Sequence, residues 1–185
     1  MKTLEVARKS KVKTKHFFRK PEKKDGAEVW RLIKHTGNLD LNSSYSYLLW
    51  CEVFSESSII AFEGLAEERP VGFVSGFMHP EKPDTLFIWQ VAVHESQRGK
   101  GLATKMLKQL LNRECCEQAK YIEATVGESN TPSNNLFLGL ARKFESNYRI
   151  SKYFESDDFP ESDKEAHETE WLYRIGPINK KFIKG

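Results

Sequence analysis

The chain is poor in cysteine. Its 185 residues include three, Cys51, Cys115 and Cys116, and their spacing fits neither a disulfide framework nor a zinc site. Cys115 and Cys116 are adjacent, so on a helix they face different directions. Reduced thiols are expected, and with them a cytoplasmic protein. The chain also lacks any apolar run of about 18 residues, which excludes a membrane-spanning helix. The opening stretch MKTLEVARKSKVKTKH has no apolar core of the kind a secretory leader needs. Internal repeats and long linkers are absent as well. No metal is expected.

What is present describes one globular domain. Hydrophobic residues make up 39% and aromatic residues 12% of the 185, enough for a sizeable core. The net charge of +3 is unevenly spread. Residues 1–24 contain ten Lys/Arg against two Glu, a balance of +8, so the remainder carries −5. A mildly acidic body therefore follows a basic N-terminal stretch. Such a stretch suits an anionic partner such as nucleic acid or is a solvated terminus. The second reading is preferred, because no aromatic stacking platform or reading helix accompanies the charge. The boundaries expected are a basic, flexible arm at 1–14, a single domain at 15–178 and a basic tail at 179–185.

Periodicity divides that domain. Lys15–Arg19 reads as a short strand. Asp25–Lys34 reads as a helix capped by Asp25, with Val29, Trp30 and Ile33 apolar and Gly37 closing it. Tyr45–Phe54 is a second helix behind Ser43 or Ser44. Three strands follow at Ser58–Leu65, Pro70–Met78 and Thr85–Val93, with turns at Glu67–Pro70 and His79–Asp84. A helix begins after Gly101, with Leu102, Ala103, Met106, Leu107, Leu110 and Leu111 on one face. Then come a strand at Tyr121–Val126, a helix at Pro132–Phe144, a strand at Tyr148–Phe154, an acidic loop at Asp157–Glu165 and a last strand at Glu168–Ile175. This order predicts an α/β (α+β) fold. Its sheet is mixed, mostly antiparallel and of about seven strands, with helices on both faces.

The chemistry concentrates where the third strand of the meander becomes a helix, at Gln97-Arg98-Gly99-Lys100-Gly101. Two glycines let a ligand approach the main chain closely. The first helical turn offers N–H groups without internal partners, at the positive end of the dipole. Arg98 and Lys100 add charge. Together these features suit a phosphate cradle, although an ordinary glycine-containing connection has the same composition. The spacing of a P-loop is missing, and Gly99-Lys100-Gly101-Leu102-Ala103-Thr104 lacks the last glycine of a dinucleotide fingerprint.

Arg98-Gly99-Lys100-Gly101-Leu102-Ala103 resembles the Arg/Gln-x-x-Gly-x-Gly/Ala loop of the GNAT N-acetyltransferase superfamily. Trp89-Gln90-Val91-Ala92-Val93 resembles its fourth strand. Asn130-Thr131-Pro132-Ser133-Asn134-Asn135-Leu136-Phe137 resembles its Asn-x-x-Ala/Ser-x-x-Leu-Tyr/Phe segment. The likeness runs over roughly residues 15–175 and implies the GNAT fold with acetyl-CoA as co-substrate. It further implies that Arg98, Gly99, Lys100, Gly101, Leu102, Ala103 and Thr104 bind the pyrophosphate. Val91, Ala92 and Val93 would hold the pantetheine, and Asn130 and Phe137 would line the CoA arm. A homodimer is implied as well.

The acceptor side rests on three stretches. Leu39-Asp40-Leu41-Asn42-Ser43-Ser44-Tyr45-Ser46-Tyr47, the strand around Trp89, and His167-Glu168-Thr169-Glu170-Trp171-Leu172-Tyr173 offer carboxylates and an aromatic wall for a cationic acceptor. Each has an ordinary structural use too: Asp40 in a turn, Trp89 in the core, Glu168 and Glu170 on an edge strand facing solvent. The three stretches resemble those of the branch of the superfamily that acetylates L-2,4-diaminobutyrate in the synthesis of ectoine, a compatible solute. That resemblance implies acceptor contacts from Asp40, Asn42, Ser43, Trp89 and Glu168. Another small amine, such as a polyamine, an amino acid or a protein terminus, remains open here, as does a non-catalytic CoA-binding module. An amine attacks only when neutral, so the site must accept a proton from an alkylammonium whose pKa is about 10. Glu123 and Glu168 are candidate bases, beside ordered water. Many superfamily members carry a tyrosine where this chain has Phe137, so the proton donor to the leaving thiolate is sought elsewhere, at Tyr45, Tyr148 or Tyr153.

Overall fold

In the computed structural model the described residues are 15–37, 39–64, 69–160 and 167–183. The basic arm expected at 1–14 and part of the acidic loop, residues 161–165, lie outside them. The described chain forms strands β1 (His16–Arg19), β2 (Ile59–Glu63), β3 (Pro70–Met78), β4 (Thr85–Val93), β5 (Tyr121–Gly127), β6 (Tyr148–Phe154) and β7 (Glu170–Ile175). Its helices are α1 (Gly26–Thr36), α2 (Ser44–Glu52), α3 (Leu102–Leu111) and α4 (Thr131–Lys143). The seven strands form one sheet in the order β1-β2-β3-β4-β5-β7-β6. Neighbours are antiparallel except β4 and β5, which run parallel.

Helices cover both faces, and the strand compositions follow from that. In β2, Ile59 and Ala61 point into the core beneath α3 and α4, while Ile60 and Phe62 point into the core beneath α1 and α2. A strand buried on both faces reads as a continuous apolar run, Ile-Ile-Ala-Phe, without alternation. The amphipathic α3 buries Leu102, Met106, Leu107, Leu110 and Leu111 against the first face. The second face takes Val29, Leu32 and Ile33 of α1 with Tyr47 and Cys51 of α2.

Three expectations are corrected by packing. Asp25 precedes α1 but does not cap it with its side chain. Its carboxylate instead accepts a forked pair of bonds from Arg19 (2.7 and 2.9 Å) and one from the Glu22 amide (2.7 Å), which pins β1 to the start of α1. Glu168 and Glu170 do not belong to an edge strand. The hairpin places β7 between β5 and β6, so β6 is the edge. Glu168 precedes β7, which begins at Glu170. Of the basic tail expected at 179–185, the described part, 179–183, packs on the domain: Ile183 is buried in the main core, and its carbonyl accepts a bond from Asn112 (3.2 Å).

Burial pushes the Asp25 carboxyl up, but the Arg19 fork and the Glu22 amide outweigh it and hold the group below its usual range. A carboxyl depressed in the folded state contributes stability above its unfolded pKa of about 3.9, and that contribution is lost as the pH falls through the lower folded value. Asp25→Asn is therefore expected to lower unfolding free energy at pH 7 by about 1–3 kcal/mol. In denaturant titrations the gap from wild type should close progressively as the pH falls below about 4.

Candidate active site

The site starts from a fault in the sheet. β4 and β5 pair at Thr85↔Tyr121, Leu86↔Ile122 and Phe87↔Glu123, and pairing stops there although both strands continue. On the other edge of β4, Ser75 faces Gln90 and Gly76 faces Ile88, which leaves Trp89 as an extra residue without a partner on β3. Such a bulge bends its strand and increases the local twist. Gly76 is required beside it, since a Cβ there would lie 2.6 Å from the Phe87 carbonyl oxygen. Beyond the bulge, β4 hugs β3 and parts from β5. His94 N donates to Val71 O (2.9 Å). Antiparallel alternation then directs the N–H groups of Val93 and Val91 to the opposite edge, into the gap.

The glycine turn follows at the end of β4. Gly99 and Gly101 both have left-handed backbones, φ 71° and 75°. A Cβ at either would meet no atom within 4 Å, so the turn stands open. The helical ladder of α3 begins with Lys105 N donating to Gly101 O (3.1 Å). Lys100 N donates to Gln97 O (3.4 Å), whereas the amides of Gly99 and of Gly101 to Thr104 lie outside that ladder and are placed to bind an anion. Leu102 is buried beneath the turn, and Ala103 and Thr104 are half-buried on its first coil. The two expected cations differ. Arg98 folds back, donating from Nε to Val93 O (3.2 Å) and from Nη2 to Thr36 O at the end of α1 (3.1 Å). Lys100 is exposed, with Nζ 3.5 Å from Gln97 Oε1. Arg98 thus fixes the turn, and Lys100 stays nearer to solvent.

Across the sheet, the segment before α2 is held against β4 by side chains that motif reading missed. Gln90 Nε2 donates to Asp40 O (2.8 Å), Tyr47 Oη donates to Gln90 Oε1 (3.3 Å), and Asn42 N donates to Tyr47 Oη (3.2 Å). Asp40 and Ser43 are exposed and Asn42 half-buried. A glutamine inside the apolar run Trp-Gln-Val-Ala-Val was the available signal, since a buried amide needs partners. Trp89 is not core: it is 49% exposed and stacks on Trp50, with ring centroids 6.0 Å apart. Trp50 also lies against Phe54 and Phe77, so the wall is an aromatic cluster. Tyr45, on the first turn of α2, is 67% exposed.

The remaining candidates separate by position. Glu168 is exposed, and its carboxylate accepts bonds from Ser129 N (3.0 and 3.1 Å) and Ser129 Oγ (2.8 Å), just past the free end of β5. Glu123 is 2% exposed, ion-paired with Arg174 and 3.2 Å from Lys82 Nζ, at the closed end of the gap. Arg174 also lies 3.8 Å over the Tyr121 ring. Asn130 caps α4, its Oδ1 accepting from Ser133 N (3.1 Å). Phe137 is buried against Tyr173, with ring centroids 6.2 Å apart. Burial raises the Tyr173 phenol above its usual value. Tyr148 and Tyr153 lie on β6, separated from β5 by β7, so the fold does not bring them to the gap. Among the described residues no group of His, Cys, Asp and Glu is arranged to hold a metal ion, and no helix is long and apolar enough to cross a membrane.

A glycine turn feeding a helix beside two parting parallel strands is accompanied by a match to the acetyltransferase (GNAT) family over residues 27–140. The chain belongs to that family. Among curated proteins, this acetyltransferase is 62% identical to the L-2,4-diaminobutyric acid acetyltransferase of Oceanobacillus iheyensis, over 95% of this chain and 96% of that one. It is 59% identical to the protein of the same name from Virgibacillus pantothenticus, over 86% and 97%. Among solved structures it resembles the diaminobutyrate acetyltransferase EctA from Paenibacillus lautus, in complex with its substrate L-2,4-diaminobutyric acid and coenzyme A. That likeness has a TM-score of 0.82 at 42% identity, over 89% of this chain and 96% of that one. The seven-stranded, mostly antiparallel sheet with helices on both faces is thus the GNAT fold.

The closed end of the gap depends on a buried carboxylate held by two cations. Removing one partner of such a group leaves charge uncompensated. Arg174→Met is expected to destabilise the acetyltransferase by about 3 kcal/mol, and the double variant Glu123→Leu/Arg174→Met to recover part of that loss. Guanidinium unfolding of the three proteins measures both.

Proposed function

We propose that the protein transfers the acetyl group of acetyl-CoA to the 4-amino group of L-2,4-diaminobutyrate, giving N4-acetyl-2,4-diaminobutyrate for ectoine synthesis. The observation that carries this is 62% identity, over nearly the full length of both chains, to an enzyme named for that acceptor. A close structural likeness to an enzyme that holds both diaminobutyric acid and CoA supports it.

The geometry suits this reaction. The amides of Gly99 and of Gly101 to Thr104 take the pyrophosphate, with the Lys100 side chain adding charge and Arg98 holding the turn in place. The pantetheine lies along Val91–Val93 in the gap, past Asn130 and the face of Phe137. Asp40 binds the ammonium that is not acetylated, beside Asn42 and Ser43, with Trp89 as the wall. Of the two candidate bases, Glu168 suits proton removal from the 4-ammonium better. It is exposed and accepts from one serine, whereas Glu123 is already paired with Arg174 and Lys82. The neutral amine then attacks the thioester carbon. The carbonyl oxygen becomes an oxyanion that accepts from Val91 N–H. Collapse breaks the C–S bond; the nitrogen gives up its second proton to solvent, and the released CoA thiolate takes a proton from Tyr45 or solvent. A cytoplasmic, osmotic-stress enzyme acting as a homodimer completes the reading. The exposed apolar side chains Tyr148, Ile150, Tyr153 and Phe154 on the edge strand β6 suit a second copy.

The test is thiol release from acetyl-CoA with a panel of amines. Turnover of 2,4-diaminobutyrate is expected to exceed that of spermidine by a wide margin; the reverse order would sink the assignment. Asp40→Ala should raise KM for the diamino acid by roughly tenfold or more, as loss of a charged hydrogen bond implies, with KM for acetyl-CoA nearly unchanged. Gly101→Val, forced into a left-handed backbone, should weaken CoA binding by about 1–3 kcal/mol through the lost amide contact. Calorimetric titration with CoA measures that loss.

A further inference from the structure

Gln90 stands where the two substrates must meet. It belongs to β4, directly before Val91, whose amide faces the gap, and directly after the bulged Trp89. Its side chain is buried, as is that of Tyr47. From there it leaves the sheet and grips the segment carrying Asp40: Nε2 donates to the Asp40 carbonyl (2.8 Å), and Oε1 accepts from Tyr47 Oη (3.3 Å). The same phenol oxygen accepts from the amide of Asn42 (3.2 Å). The backbone on both sides of Leu41 is thus tied through one carboxamide to the residue next to the oxyanion donor. Opposite Gln90 on β3, Ser75 carries a buried hydroxyl with no partner among the described residues, so the floor here is polar rather than ordinary core.

We propose that Gln90 determines acceptor chain length, by fixing the distance between Asp40 and the acetyl position at Val91. This rests on the diaminobutyrate reading above. A diamino acid anchored at Asp40 by one ammonium reaches the thioester with its other nitrogen. One methylene more or less displaces the attacking atom, and a misplacement of about 1 Å can cost about 10²-fold in rate. Discrimination between homologues therefore requires a segment that cannot slide along β4, and the carboxamide bridge supplies that rigidity. Gln90 touches neither substrate in this arrangement; it is a positioning residue acting through the backbone of Asp40 and Asn42.

The experiment measures kcat and KM of wild type, Gln90→Leu, Tyr47→Phe and the double variant. The acceptors are 2,3-diaminopropionate, 2,4-diaminobutyrate and 2,5-diaminopentanoate, all at saturating acetyl-CoA. Gln90→Leu is expected to lower kcat/KM for the preferred acceptor by at least about tenfold, as loss of preorganised positioning implies. It should also narrow the ratio between that acceptor and its neighbours by a similar factor, with KM for acetyl-CoA within twofold of wild type. Tyr47→Phe, which removes one hydroxyl and serves should the leucine variant fold poorly, should move the ratio in the same direction by less. The double variant should be no worse than Gln90→Leu, because both act through one segment. Equal losses on all three acceptors, or an unchanged ratio in folded variants, would overturn the proposal. A wild-type preference for another of the three would sink the diaminobutyrate reading alone, since the ratio among homologues still tests Gln90.

Discussion

The structure depends on two parallel strands failing to stay together. β4 and β5 share three residue pairs and then part. A parallel ladder left open exposes backbone donors that folding normally satisfies. The cause is local: one residue too many in β4, Trp89, set against Gly76, the one residue type whose lack of a side chain allows the Phe87 carbonyl so close. The bulge keeps β4 on β3 and surrenders it to a ligand on the other edge. An N–H in that gap cannot be paid back by the sheet, so it is available to a thioester oxygen or an amide of the pantetheine arm.

Around that gap the sheet divides the work between its faces. The glycine turn at the end of β4 leads into α3 on one face, and the segment with Asp40 leads into α2 on the other. Two side chains carry the connection across. Arg98 joins the turn to the last carbonyl of α1, and Gln90 joins β4 to the segment before α2. At the closed end, Glu123 is held by Lys82 and Arg174. These polar links are short-range and directional, so they hold position where apolar packing alone would tolerate sliding.

Much of this was legible in the residues. Pro70–Met78, Thr85–Val93 and Tyr148–Phe154 read as strands to the residue, because turn-formers bound each run and β-branched and aromatic residues fill it. Gly37 and Gly101 marked helix boundaries that the backbone bears out with φ of 69° and 75°. Other features were not legible. Asp25 has the composition of a cap, yet Arg19 comes close enough to take its carboxylate. The last two strands were visible, but not that the second inserts between the first and β5. Tyr148 and Tyr153 are as good chemically as any other tyrosine until that order removes them to the far edge.

The sequence by itself showed a turn suited to a phosphate, and its resemblance to the GNAT loop implied the acetyl-CoA donor, because a glycine turn opening an amphipathic helix is a local device whose parts are adjacent in the chain. It also settled the fold class, through periodicities that span a few residues at a time. Only the tertiary structure decided which carboxylates are free and which are committed. Glu123 meets Arg174 from 51 residues away, Glu168 meets Ser129 from 39, and Gln90 meets Asp40 from 50. A side chain's role at such a site is set by its neighbours in space, and the pairing of strands, not the order of residues, brings those neighbours together.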